Sequence, residues 1–287
     1  MEWAQELDPD IVFLWVGGQD ALLGLINGTD AAATDPDRFA EHFDNIISEL
    51  AGTGATIFVG NVPMVTDIPF LLSLDEAAAF FGLDGASLAF FLNIDPAVSV
   101  TLDALGPIAA ALQGDPAAFL DRDPATCFVI ESANVPDPDP EVTCGDYILT
   151  EGEIAEIEAK VTAYNAIITN VVGAYTEANL VDIKGFFAAV ADGGIRVDGQ
   201  VLTNAFLGGT FSLDGIHPTF TGYALIADEF IAVINAAARD EVVAQLSRRQ
   251  FRSILRSDPL VFHDPFNPPP PLGPVFTLDA SDTVFRP

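Results

Sequence analysis

Basic residues are scarce in this chain, and lysine is almost absent. The 287 residues include 11 lysines and arginines against 42 aspartates and glutamates, which gives a formal net charge of −31. Lys160 and Lys184 are the only lysines. Because a surface of this charge repels phosphate backbones, the composition argues against a nucleic-acid-binding protein. An acidic surface poor in lysine suits high ionic strength, so we expect a salt-adapted or exported protein, with an ordinary acidic soluble protein as the alternative.

Long hydrophobic runs are missing too. Half of the residues are hydrophobic, yet no stretch approaches the roughly 20 uninterrupted apolar residues of a membrane span. Residues 1–20 have no basic segment ahead of an apolar core, so no signal peptide is visible. We expect a sizeable folded core, no transmembrane segment, and either one large α/β domain or two small domains.

Only two cysteines occur, Cys127 and Cys144, on either side of a segment rich in Pro and Asp at 136–140. This arrangement favours a disulfide that closes a loop in an oxidising compartment, with two buried free thiols as the alternative. No second cysteine or histidine lies at the spacing of a metal site. We therefore expect no metal and no cofactor.

Short apolar runs bounded by glycine and proline are typical of buried strands in a parallel sheet. They predict strands at 9–16, 55–59 and 180–183, and apolar residues at helical spacing predict helices at 38–50, 150–175 and 222–238. The first strand, helix and strand predict a right-handed parallel βαβ unit. Thr150 and Glu153 form a capping box for the long helix, and a turn at 198–199 predicts a hairpin.

Two regions are less regular. Residues 68–146 are expected to form an insertion rich in phenylalanine, which builds either a small subsidiary core of short helices or a cover lining an apolar acyl pocket. Beyond residue 239 the composition turns basic and rich in proline, which predicts a helix at 241–255 whose basic face can rest on the acidic body. An extended or disordered segment is expected at 265–287. We therefore divide the chain into a domain at 1–239 and an extension at 240–287.

The strongest chemical pattern lies in a loop rich in Gly and Pro at 211–223. There Asp214 precedes His217 by three residues, directly ahead of an apolar helical run. A neutral histidine can take a proton from a hydroxyl, and a carboxylate on its other ring nitrogen fixes the tautomer. The pattern suits the base half of a Ser-His-Asp site, although a helix N-terminus with a solvated aspartate and histidine fits the same residues.

A second turn, Gly17-Gly18-Gln19-Asp20, follows the first predicted strand, where α/β sheets bind ligands. A tight turn without a ligand is the alternative. This turn, the Asn-x-Pro after the second strand and the late Asp-x-x-His-Pro together resemble the SGNH (GDSL) hydrolase family, its bacterial lipolytic members above all. The resemblance covers about residues 7–238. It implies a flavodoxin-like three-layer α/β/α sandwich with a mainly parallel sheet, which hydrolyses lipid or other small acyl esters through an acyl-enzyme.

The resemblance also implies roles for single residues. His217 matches the family's general base, and Asp214 matches the acid that orients it. Gln19 stands where the family has its oxyanion-hole asparagine, one methylene longer. One such donor is worth about 3 kcal/mol, so a misplaced amide would cost two to three decades in rate. Gly17 and Asp20 match the supporting turn, and we expect Asp20 to tie down this turn rather than to react. A bacterial protein that is secreted, periplasmic or on the cell surface is expected.

The family's Gly-Asp-Ser nucleophile block has no counterpart here. That tripeptide occurs nowhere in the chain, and the single Gly-Asp-Tyr, at 145–147, is in the wrong place. Ser212 lies two residues before the aspartate of the Asp-x-x-His motif and is not assumed to face the histidine. In the family the block precedes the Gly-x-x-Asp turn by roughly a hundred residues, whereas sixteen residues precede Gly17.

We therefore expect a hydrolase that is incomplete at its N-terminus and inactive or nearly so as it stands. Without the family's first strands, the strand at 10–16 should have an unpaired edge. Two other functions remain open. One is a non-catalytic member of the family that binds an acyl or glycan ligand, and the other is an interaction module that uses the acidic face and the Pro-rich segment.

Overall fold

The computed structural model describes residues 6–115, 119, 145–237 and 243–261. The expected disulfide between Cys127 and Cys144, the Pro-rich segment at 265–287 and much of the second half of the 68–146 insertion lie outside the described residues.

The described strands are β1 (Ile11–Leu14), β2 (Thr56–Gly60), β3 (Leu71–Ser73), β4 (Ser99–Thr101), β5 (Ile148–Leu149), β6 (Ala178–Val181), β7 (Ile195–Val197) and β8 (Gln200–Leu202). The described helices are α1 (Gly18–Ile26), α2 (Pro36–Ala51), α3 (Leu74–Ala79), α4 (Gly85–Leu92), α5 (Leu105–Leu112), α6 (Glu151–Ala174), α7 (Ile183–Gly193), α8 (Phe220–Ala237) and α9 (Arg248–Ser257).

The central sheet contains β1, β2 and β6, in that order, and both pairings are parallel. Its strands lie where the apolar runs predicted them, within two or three residues at each end. β2 is the middle strand, and four of its five residues are buried. β1 pairs with β2 on one side only, and no described strand covers its other edge. The expected open edge of the first strand is therefore present in the described structure.

Helices pack on both faces of this sheet. On one face α8 contacts β2 and β6, and the ring of Phe230 meets Phe13 edge-on at 5.8 Å. On the other face α2 and α6 pack against each other, with Phe39 stacked on Tyr164 at 4.4 Å. A parallel sheet between two helical layers is the α/β architecture that the family resemblance implied.

The long helix α6 begins with the predicted capping box, in which Thr150 and Glu153 each bond the other's backbone N–H. Farther along, Asn165 clamps the segment after β2. Its side-chain oxygen accepts the Val62 N–H, and its side-chain nitrogen donates to the Val62 carbonyl, both at 2.8 Å. The Lys160 amine donates to the carbonyls of Asp30 and Ala33, so α6 also holds the segment that follows α1.

The described part of the insertion forms a small core of its own. β3, β4 and β5 make an antiparallel sheet with buried Leu72, Val100 and Leu149, and short helices pack around it. The phenylalanines of the insertion are divided, since Phe70 and Phe119 are buried whereas Phe90 and Phe91 on α4 are 89% and 54% exposed. The sequence did not predict the sheet, because its strands have only two or three residues.

The predicted hairpin is formed by β7 and β8, with Asp198 and Gly199 at positive φ in its turn. Helix α9 packs next to this hairpin through buried Leu255, and Arg252 forms a two-pronged ion pair with Asp198. The other arginines of α9 point to solvent. The expected contact of basic residues with the acidic body is thus present at Arg252, and the apolar side of α9 adds a buried contact beside it.

Among the described helices, α8 alone is long and apolar enough to cross a membrane by length and composition. It packs on β2 and β6 and contributes buried Ala224, Leu225 and Ile226. This packing is typical of the core helix of an α/β fold.

Candidate functional site

The loop before α8 is folded tightly on itself. Phe211 pairs with Pro218, and the Ser212 N–H donates to the His217 carbonyl at 2.7 Å. Gly215 is at φ 69°, and its carbonyl accepts the Phe70 N–H at 3.1 Å. A Cβ there would lie 2.8 Å from the Phe70 nitrogen. The glycine is therefore required both by the backbone angle and by the close approach of the insertion.

Asp214 is the centre of this loop. Its Oδ2 lies 2.7 Å from Nδ1 of His217. Its Oδ1 accepts the Ser212 hydroxyl at 2.6 Å and the backbone N–H groups of Ile216 and His217 at 2.9 Å each. Burial by itself would raise the pKa of the Asp214 carboxyl, but hydrogen bonds from Ser212, Ile216 and His217 outweigh it and lower the pKa. The carboxylate is thus held ionised and pointed at the ring.

His217 is open to solvent on its other side. Its side chain is 68% exposed, and no hydrogen bond from any described residue reaches Nε2. The Ser212 hydroxyl bonds Asp214 and not the histidine ring, so the structure does not make it the partner of Nε2. The loop therefore brings together a base and its orienting acid, with the reactive nitrogen facing outward.

The lowered pKa of Asp214 has a consequence for stability. A carboxyl with a lowered folded-state pKa stabilises the fold above its unfolded value of 3.8, and this contribution is lost as the pH falls through the lower folded value. We expect Asp214→Ala to cost about 1 kcal/mol at neutral pH, after allowance for solvent screening at a partly exposed group. Urea unfolding at neutral pH and below pH 3.8 measures this cost. An undiminished cost in acid would contradict the assignment.

The glycine-rich turn after β1 has no room for a side chain at Gly17. Gly17 lies at φ 99°, and a Cβ there would come within 2.8 Å of Val62 and 3.0 Å of Phe39. It forms the N-terminal cap of α1 without a side-chain bond. Gln19 follows in the first turn of α1 and is exposed, so its amide can reach outward. No hydrogen bond joins Gln19 to Asp214 or His217 in the described structure.

Asp20 connects the same turn to the chain ahead of α2. Its carbonyl accepts the Thr34 N–H at 2.9 Å, and its carboxyl lies near the Thr34 side chain. Burial raises the pKa of this carboxyl, and the Thr34 side chain and the charges of His42 and Arg38 only partly offset it. These contacts fit the supporting role expected for Asp20.

A polar brace at the carboxyl ends of the strands was not predicted. The Asn61 amide donates to Asp182 Oδ1 at 2.8 Å, its oxygen accepts the Lys184 N–H at 2.7 Å, and the Trp15 indole donates to its carbonyl at 3.1 Å. These residues follow β2, β6 and β1, so the brace joins all three strands. The Asn-x-Pro after the second strand was the one sequence signal that pointed to it. Among the described residues, no three His, Cys, Asp or Glu side chains are grouped as a metal site requires.

A buried carboxylate supports the loop from outside it. Asp258, which is 2% exposed, follows α9 and accepts both the backbone N–H and the hydroxyl of Thr221 at 2.8 Å. Thr219 caps the same helix end by accepting the Gly222 N–H at 3.0 Å. The N-terminus of α8, which starts three residues after His217, is therefore fixed by a residue of the extension.

The comparisons with known proteins agree with these features. A sequence model of the family described as GDSL-like Lipase/Acylhydrolase matches residues 2–230. No curated protein and no solved structure has a significant match. The matched span includes the turn after β1, the parallel sheet and the loop of Asp214 and His217, and it ends before α9. The chain belongs to the GDSL-like lipase/acylhydrolase family.

Proposed function

We propose that this chain carries the base half of a carboxylic-ester hydrolase that acts on lipid or other small acyl esters. The family acts on small ester substrates. The observation that carries the proposal is the 2.7 Å contact between Asp214 Oδ2 and His217 Nδ1, with Nε2 exposed on the opposite side of the ring.

The carboxylate selects the working tautomer. With the proton on Nδ1 and directed at Asp214, Nε2 is a free acceptor that takes the proton of an attacking serine hydroxyl. The serine oxygen then bonds to the ester carbonyl carbon, and the imidazolium returns its proton to the departing alcohol. Water repeats the sequence on the acyl-enzyme and releases the acid and the serine. Asp214 stays ionised throughout and stabilises the imidazolium, in agreement with its lowered pKa.

Gln19 is proposed as an oxyanion donor. It lies in the first turn of α1, where the helix dipole also favours negative charge. Its side chain is exposed and makes no hydrogen bond to a described residue, so the amide is free to turn toward a substrate. The backbone of this turn is fixed by Gly17, which leaves the longer side chain of glutamine as the variable part of the geometry.

We further propose that the nucleophile is supplied on a strand that pairs with the open edge of β1. Ile11 and Phe13 on this strand are 49% and 58% exposed, although they belong to the central sheet. A parallel strand added at that edge would cover them and would end beside the Gly17 turn, because parallel strands share their carboxyl edge. The 287-residue chain without this strand is then inactive or nearly so.

The test compares two proteins in ester hydrolysis. One is the 287-residue chain, and the other is the same chain with an added N-terminal strand that contains Gly-Asp-Ser. A short-chain acyl ester serves as substrate. We expect turnover only in the extended protein, and Ser→Ala in its Gly-Asp-Ser block serves as the matched control. Equal turnover by the 287-residue chain and the extended chain would contradict the proposal.

The absence of Gly-Asp-Ser also favours a second candidate, a non-catalytic member that binds an acyl or glycan ligand. Under this alternative the 287-residue chain binds a non-hydrolysable acyl ester analogue, and the extended chain does not hydrolyse the ester. The same pair of proteins therefore separates the two functions.

A further inference from the structure

Helix α9 gathers a large share of the chain's few cations on one surface. Arg248, Arg249, Arg252 and Arg256 lie within ten residues and are all exposed, and we call them the arginine face. Positions 248, 252 and 256 are four residues apart and so follow one side of the helix. In a chain with 42 acidic and 11 basic residues, four arginines on one exposed helix side form a distinct feature.

Three of these guanidinium groups form no ion pair with a described carboxylate. Arg252 alone is paired, to Asp198 through Nε at 2.7 Å and through a nitrogen of the guanidinium fork at 2.5 Å. This pair fixes α9 against the hairpin of β7 and β8. Arg248 also lines a cavity with Asp228 and Glu229, and the hydrogen bond from Arg252 and the charge of Arg256 both lower the pKa of Asp198.

The face also has a shaped recess. A shallow groove of about 330 Å³ is lined by Arg249, Arg252, Ser253, Arg256 and Ser257. Guanidinium forks and serine hydroxyls are both donors suited to phosphate oxygens. Arginines and serines both line the groove, so hydrogen-bond donors lie on successive turns of the helix.

We propose that the arginine face binds the phosphate groups of an anionic lipid surface. The helix spans about 15 Å and is fixed to the body by Leu255 and Asp258. Three described acids close to α9, Asp198, Asp228 and Glu229, line the neighbouring cavity with Arg248 and Arg252. The groove of Arg249 and Arg256 has no acidic residue in its lining.

A lipid surface fits better than a protein partner. Stable protein interfaces have an apolar, fully buried centre. The outward side of α9 has none, because Phe251, Ile254 and Leu255 turn toward the body and are partly or fully buried. Binding to phosphate headgroups needs no such centre. The choice of lipid over another polyanion rests on the proposed function, since acyl esters are presented at lipid surfaces.

The expected strength follows from the number of free arginines. Each arginine near an anionic membrane contributes about fivefold to binding. The variant R248Q/R249Q/R256Q retains the pair of Arg252 with Asp198, so α9 stays docked. We expect it to bind anionic vesicles about 100-fold more weakly than the unchanged chain.

The experiment measures flotation of the full chain with vesicles of phosphatidylglycerol and of phosphatidylcholine, at low and at high salt. Binding is expected to phosphatidylglycerol only, and to fall as salt rises. The matched control S48E/T162E/N170E lowers the net charge by the same three units at exposed positions of α2 and α6 and should bind nearly as well as the unchanged chain. R248K/R249K/R256K should retain most of the binding.

Several results would overturn the proposal. One is equal binding of both vesicle types, and another is an equal loss in the charge control and in the arginine variant. Tighter binding of a short DNA duplex than of the vesicles would assign the face to nucleic acid instead. Competition by inorganic phosphate at the same concentration as lipid phosphate would reduce the site to one for free anions. Because no hydrolysis is measured, failure here leaves the ester-hydrolase proposal untouched, and the reverse also holds.

Discussion

His217→Ala, made in the protein that carries the Gly-Asp-Ser strand, is expected to lower kcat for ester hydrolysis by about 10⁴-fold or more. Alanine removes the only described acceptor placed to receive the serine proton, while the strand and the oxyanion donors remain. KM should change little, because the ring binds the reacting groups and not the acyl chain. Steady-state rates with a short-chain acyl ester measure the effect.

The fold provides the control for this result. Since the His217 side chain is 68% exposed, alanine should leave the free energy of unfolding almost unchanged. Gln19→Ala should lower kcat less than His217→Ala does, because loss of one oxyanion donor costs about 10²- to 10³-fold in kcat. A histidine variant that retains more than a tenth of the activity would show that another residue is the base. The proposed pairing with Asp214 would then be structural only.

Asp258→Ala is expected to lower the free energy of unfolding by about 2–4 kcal/mol. The carboxylate is buried and accepts two hydrogen bonds from Thr221, so its removal leaves a helix-end N–H and a hydroxyl without partners. The change also detaches the end of α9 from the start of α8. Urea unfolding followed by circular dichroism measures the loss.

Asp192→Ala is the matched control. Asp192 is exposed on α7 and makes no side-chain hydrogen bond to a described residue, so its removal should stay within about 0.5 kcal/mol of the unchanged chain. Asp258→Asn should lose less than alanine because the amide oxygen still accepts a hydrogen bond. Equal losses for Asp258→Ala and Asp192→Ala would mean that the contact with Thr221 contributes nothing to stability.

The elements that the sequence predicted are those with a local signal. β1 and β2 are short apolar runs between glycines and prolines, and α6 combines a capping box with helical spacing over six turns. The pairing of Asp214 with His217 was within reach for the same reason, since both residues lie in one loop. Periodicity and short motifs predict only the structure of residues that are close to one another in the sequence.

The contacts that the sequence did not predict join distant residues. Asn61 and Asp182 are 121 positions apart, and Thr221 and Asp258 are 37 apart. The Asn-x-Pro motif marks Asn61 but does not identify its partner, and no pattern in either segment marks the contact between Thr221 and Asp258. The packing of α9 was predicted only in part. Its arginines suggested attraction to the acidic body, which the pair of Arg252 with Asp198 provides. Burial of Leu255 and Val261 with Leu202 and Leu225 is a second contact that the arginines did not indicate.

The contact between Asp258 and Thr221 also changes where the protein can be shortened. Composition suggested a division near residue 239, which would separate the arginine-rich helix and everything after it. A cut there removes the buried acceptor from the helix that follows His217, so a crystallographer or enzymologist who trims the Pro-rich segment should cut after Val261. A family domain delimited by sequence similarity to residue 230 is thus smaller than the unit that folds around its histidine.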